Sequence, residues 1–250
     1  MKKVIKSTDL LVGMRAFTDA RIAIGRAGTS IPLKQSLEFK LAHAHARDAV
    51  YSELDITILT DSLKQFDLPI LHLHSQAGYR EQYLQRPDLG RKLSEESLAS
   101  LQGHRQSTDI AIIIADGLSA TAINTNAVSL LKVLIPMLQS VNLKLADLVL
   151  VEQGRVAIAD EIASALHAKL SLIVIGERPG LSSADSMGVY LTYSPKPGLT
   201  DELRNCVSNI RPAGLSYKQA AKKIFYLVQE AFKRKLSGVE LKDNAGLLHE

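Results

Sequence analysis

The stretch Leu170-Ser-Leu-Ile-Val-Ile-Gly176-Glu177-Arg178-Pro179-Gly180 decides the fold. Leu170 to Ile175 is an apolar run of the length expected for a strand buried on both faces. Two glycines then allow a sharp path, and Pro179 cannot continue a central ladder. A charged Glu177-Arg178 pair is thereby set in a loop at the carboxyl end of a core strand, the edge where open parallel sheets bind ligands. Further on, Arg204-Asn205-Cys206-Val207-Ser208-Asn209 flanks the only cysteine with polar groups, which suggests a second part of a ligand rim.

Upstream of this stretch the same grammar repeats. Ile110–Ala115 reads as a buried strand, followed by Asp116-Gly117-Leu118-Ser119 and a helix to about Leu138, where Pro136 is expected to kink or end it. Asp147–Glu152 reads as the next strand, followed by Gln153-Gly154-Arg155-Val156 and an alanine-rich helix over Ala157–Ala168. Strands alternating with helices at this spacing predict βαβ units, right-handed crossovers and a parallel sheet. Three loops then converge on one edge: Asp116-Gly117, Gly154-Arg155 and Gly176-Glu177-Arg178. The expected class is α/β, a Rossmann-like and mostly parallel sheet flanked by helices, with an N-terminal extended or helical arm.

The remaining segments fit around this sheet. Residues 1 to about 30 read as an extended arm; Gly25-Arg26-Ala27-Gly28 lacks the GK[ST] ending of a phosphate loop. Leu33–Val50 reads as a helix with Leu37, Leu41 and Ala44 or His45 on one stripe. Leu68–Ser75 reads as a first strand whose His72 and His74 share a face. No third ligand stands nearby, so both read as structural rather than metal-binding. Tyr83–Arg91 reads as a loop, and Ser94 as the cap of a short helix to about Leu101. Gly188–Thr192 offers one more strand. Ser216 and Gln219 form a capping box for a last helix ending near Gly238, with Ala220 or Ala221, Ile224, Phe225, Val228, Ala231 and Phe232 inward. The expected division is 1–65 for the arm and first helix, packing on a partner or the core; 66–242 for the sheet domain; and 243–250 for a frayed tail.

Composition narrows the chemistry. The 250 residues are 46% hydrophobic and 22% charged, as in ordinary globular chains. The net charge of +4 is scattered, with no basic run of the kind that marks a nucleic-acid tail, and tryptophan is absent. One cysteine leaves no internal disulfide and no CxxC motif. No apolar run approaches the ~20 residues of a membrane span. Neither a nucleophile elbow nor an HExxH or Ser-His-Asp signature is found, so no catalytic residue and no metal ligand is assigned. A stand-alone nucleotide-binding or regulatory module would need a glycine-rich fingerprint and an acidic ribose ligand, and neither is found. A purely structural scaffold subunit would need no ligand edge.

Taken together, GRAG (Gly25–Gly28), YLQRPDLGRKLSEES (Tyr83–Ser97), IADGLSATA (Ile114–Ala122), GRV (Gly154–Val156), GERPG (Gly176–Gly180), RNCVSN (Arg204–Asn209) and SGVELK (Ser237–Lys242) resemble the small, or light, subunit of ethanolamine ammonia-lyase. The resemblance implies an adenosylcobalamin enzyme converting ethanolamine to acetaldehyde and ammonia. It implies a hetero-oligomer in which a large TIM-barrel subunit carries the chemistry and the small subunit holds part of the cofactor at the interface. The family's cofactor contacts carry over onto Val156, Glu177 and Cys206. No D-x-H-x-x-G stretch surrounds any of the seven histidines, which fits a cofactor that keeps its own base. The implied setting is the cytoplasm or a bacterial microcompartment, with no nucleic acid and no membrane.

Overall fold

In a computed structural model, residues 12–104 and 106–244 are described. The first residues of the expected arm and most of the expected tail lie outside them. Six strands form one mixed sheet: β1 (Ile70–His74), β2 (Thr108–Ala115), β3 (Leu148–Glu152), β4 (Ala168–Gly176), β5 (Met187–Tyr193) and β6 (Asn205–Ile210), in the order β1-β3-β2-β4-β5-β6. The four strands from β1 to β4 are parallel, whereas β5 and β6 run antiparallel to their neighbours. From β2 the chain crosses to β3 on one side and then to β4 on the other, so the strand order reverses about β2.

The helices are α1 (Leu33–Tyr51), α2 (Ile56–Leu63), α3 (Arg80–Gln85), α4 (Glu95–Ser100), α5 (Ala120–Gln139), α6 (Ile158–Ala165) and α7 (Tyr217–Arg234). The two crossovers lie on opposite faces. On one face α2, α5 and α7 cover the sheet, with Leu59, Ile112, Leu131, Leu150, Leu172, Val189, Val207 and Ile224 in one continuous core. On the other, α6 with Leu93 and Leu101 covers Ile113, Val149 and Ile173. Beyond β4 that second face runs out of helix, and Cys206 and Ser208 on β6 are exposed. The helix α5 is long and apolar enough to cross a membrane, at 20 residues, contrary to the expectation that no such stretch exists. Ten of its residues are buried, and Leu130, Leu131 and Leu134 are spent on the sheet.

Caps follow the sequence. Ser94, Ser119 and Ser216 each accept a backbone N–H from the first turn of α4, α5 and α7. Pro136 does not end α5, which runs on to Gln139. The last helix stops at Arg234 rather than Gly238, where Lys235 turns left-handed at φ 57°. Tyr83–Gln85, expected in a loop, completes α3; the loop begins at Arg86, whose guanidinium pairs with Asp88 across Pro87. The polar RNCVSN segment, expected as part of a ligand rim, lies mostly in the edge strand β6, which begins at Asn205. In α1 the expected stripe is not inward: Leu37 and Leu41 are exposed, and Ala49 is the helix's buried residue. By contrast α2 buries Leu59 and Leu63 in the core. His72 Nε2 meets Thr60 Oγ1 at 2.9 Å and His74 Nδ1 meets Ser75 O at 2.8 Å; among the described residues no cluster suits a metal.

Candidate functional site at the carboxyl edge of the sheet

Asp116, directly after β2, organises the edge. Its carboxylate accepts the backbone N–H groups of Gly117, Gln153 and Gly154 at 2.9, 3.0 and 3.1 Å, tying the end of β2 to the end of β3. Arg80 Nη1 lies 3.4 Å from it and also donates to Gly117 O at 2.9 Å. Burial pushes the Asp116 carboxyl up to about 6, against the pull of Arg80 and the three N–H groups. The Tyr83 ring lies under two guanidiniums, those of Arg80 and Arg155, and its hydroxyl donates to Gly154 O. Sequence reading names Asp116 only as part of a loop and misses Arg80, because Arg80 reaches the edge from a segment 36 residues away.

The reversal of strand order about β2 would ordinarily open a crevice between β2 and β4. Here that crevice is shut. Leu118 N donates to Gly176 O at 2.9 Å, and a Cβ at Gly117 would stand 2.3 Å from the same oxygen. The left-handed Gly117 (φ 58°) and the close-packed Gly176 together let the two loops touch. The cavity lies beside this contact instead: a cleft of about 440 Å³ that runs onto the uncovered face, bounded by Val156, Leu118, Ile175, Glu177, Arg178 and Tyr190.

Two of the three expected contact residues meet in that cleft. Val156 stands in the turn before α6 and Glu177 directly after β4, both half-buried. The third, Cys206, sits one strand farther on, paired in register with Tyr190 of β5. Tyr190 thus bridges the cleft and the cysteine, and no sequence signal marked it. Burial first, then Cys206 and Glu177 beside it, hold its phenol well above the ordinary value, so it keeps its proton. Below this face, α6 and the start of β6 are tied by a buried pair. Arg204 donates to both oxygens of Asp160 at 2.7 and 2.8 Å, and to Thr192 Oγ1.

The site therefore offers one carboxylate, a protonated phenol, apolar walls and nearby guanidiniums. Two guanidinium nitrogens, Arg80 Nη2 and Arg155 Nε, are buried without a partner. It can hold a large ligand by its edge, with acceptors for N–H or O–H groups.

The family model described as Ethanolamine ammonia-lyase light chain (EutC) matches residues 8–242. The ethanolamine ammonia-lyase small subunit of Xanthomonas campestris is 51% identical over 241 residues, covering 95% of this chain and 89% of that protein. Those of Azotobacter vinelandii and Pseudomonas aeruginosa are 52% and 51% identical, each over 93% of this chain and 87% and 86% of their own lengths. With residues 8–242 matched by the family model and half of its residues shared over more than nine-tenths of its length, this chain belongs to the ethanolamine ammonia-lyase small-subunit family.

Proposed function

We propose that this chain is the non-catalytic, cofactor-holding subunit of an adenosylcobalamin-dependent ethanolamine ammonia-lyase, Rossmann-like in its central strands. It works in a hetero-oligomer with a large TIM-barrel subunit, in the cytoplasm or in a bacterial microcompartment. The observation that carries this reading is the meeting of Val156 and Glu177 in one cleft, the two residues onto which the resemblance carries cofactor contacts. Adenosylcobalamin, when bound, supplies the radical that starts the deamination.

The residues suit such a group. A corrinoid's rim carries carboxamides, methyl groups and one phosphodiester, so its cradle needs acceptors, apolar walls and a cation. Glu177 is the acceptor, Val156, Leu118 and Ile175 the walls, and Arg178 the cation. At about 440 Å³ the cleft has the size of a site for a drug-sized ligand, smaller than a corrinoid, so it grips an edge and leaves the rest to another chain. The uncovered β6 face and the exposed Leu33, Leu37, Phe39 and Leu41 of α1 are surfaces such a chain would cover.

The test is co-purification with the large subunit, cobalamin titration and an ethanolamine deamination assay. Activity is expected only with both chains and the cofactor. Glu177→Gln removes a charged acceptor, a contact worth about 1.5–3 kcal/mol, and is expected to weaken cobalamin binding about tenfold or more. Unchanged affinity in that variant, or activity without cobalamin, would overturn the reading.

A further inference from the structure

The Glu177 carboxylate is held by only one of its two oxygens. Oε2 accepts the Ser186 hydroxyl at 2.5 Å and the Asn209 backbone N–H at 3.2 Å. Ser186 is 4% exposed, so water does not replace it. The Asn209 N–H is free to turn because the β5–β6 ladder is irregular there: register shifts between Met187 and Val189, and Asn209 is left-handed at φ 57°. Bulges of this kind re-aim groups beside functional sites. Residue 188, within the same shift, is glycine; a Cβ there would lie 3.0 Å from Oε1. Among the described residues no donor reaches Oε1, and no cation pairs with Glu177. A bulge, a left-handed asparagine, a buried serine and a glycine thus converge on one carboxylate. They fix one oxygen and leave the other clear in the cleft that Glu177 lines.

We infer that Ser186 and Gly188 are positioning residues that aim Glu177 Oε1 at a neutral hydrogen-bond donor of the bound ligand, a carboxamide N–H or a hydroxyl, and make the cleft reject an anion at that point. The inference rests on the cofactor-holding role proposed above. A carboxylate in place of the donor would face Oε1 with like charge and no proton between them.

The test uses the complete two-subunit complex and follows binding by visible absorption. The probes are cobalamin, its monocarboxylates with one peripheral carboxamide hydrolysed in each, and cobinamide, which lacks the nucleotide and its ribose. At least one monocarboxylate is expected to bind the wild type tenfold or more weakly than cobalamin, and Glu177→Gln to abolish that preference. If the hydroxyl is the donor, cobinamide shows the Glu177-dependent loss instead. Ser186→Ala and Gly188→Ala are expected to shrink the preference severalfold at unchanged melting temperature, with Ser186→Thr restoring it. Full wild-type preference in both Ser186→Ala and Gly188→Ala, with Glu177→Gln still defective, would overturn the positioning role alone. Cobalamin binding unaffected by Glu177→Gln would instead overturn the cofactor-holding role beneath it.

Discussion

The two faces of the sheet are made from the same strands and treated oppositely. One is sealed by α2, α5 and α7 together; the other is sealed only as far as β4 by α6. Along β5 and β6, Val189 and Val207 point into the first core, while Tyr190 and Cys206 point the other way, Tyr190 onto the edge of the second core and Cys206 to the exposed surface. The sealed face holds the fold, and the open face offers chemistry. Substitutions on the first should therefore cost stability, and on the second binding.

A large effect is expected where the faces are joined. Asp160→Ala leaves the buried Arg204 with only the exposed Asp201 as an ion partner and should cost about 2–4 kcal/mol in denaturant unfolding. The double change Asp160→Leu with Arg204→Met should recover most of that loss; a double variant as unstable as the single would show that the pair itself, not the orphaned charge, stabilises the seam. On the sealed face, Leu131→Ala should cost about 2–5 kcal/mol, read as a shift in the denaturant midpoint. A loss below 1 kcal/mol would mean that the α5 face is less tightly packed than the open one.

Asp116 gives a pH signature. Its folded carboxyl stands near 6 against an ordinary value near 4, so between these the native state keeps a proton that the unfolded chain has released. Stability from this group is therefore greatest below pH 4 and falls as pH rises through 6, by about 2–3 kcal/mol. Asp116→Asn should flatten that part of the pH–stability curve relative to wild type. The smallest effects belong to the open surfaces. Glu177→Gln and Leu37→Ser should each change stability by no more than about 0.5 kcal/mol, measured on the isolated chain. A cost above 2 kcal/mol for either would place that residue with the sealed face.

How much could be read beforehand follows the same division. Apolar runs such as Leu170–Ile175 announce strands covered on both sides, and hydroxyl caps such as Ser94 and Ser216 announce helix starts. The strand β6 hid because one of its faces is bare: Cys206 and Ser208 break the apolar signal, leaving too short an alternation to distinguish from a loop. The stripe of α1 misled for the converse reason, since its leucines show helical spacing but lie away from this chain's core. The loops of Val156 and Glu177 and the rim around Cys206 were legible from pattern, but their role as cofactor contacts came from resemblance alone. Tyr190, Ser186 and Gly188 gave no signal, because what brings them to Glu177 is cross-strand register rather than spacing along the chain.

The exposed leucines of α1 also bear on how the cell must make this chain. Synthesis proceeds from the amino terminus, so α1 leaves the ribosome before any strand of the sheet exists, and the finished fold buries only Ala49 near its end. Folding does not retire this helix from the view of chaperones and proteases. Quality control continues to see Leu33, Leu37 and Leu41 until another surface covers them, and the abundance of this chain is then governed by the supply of that surface as much as by its own stability.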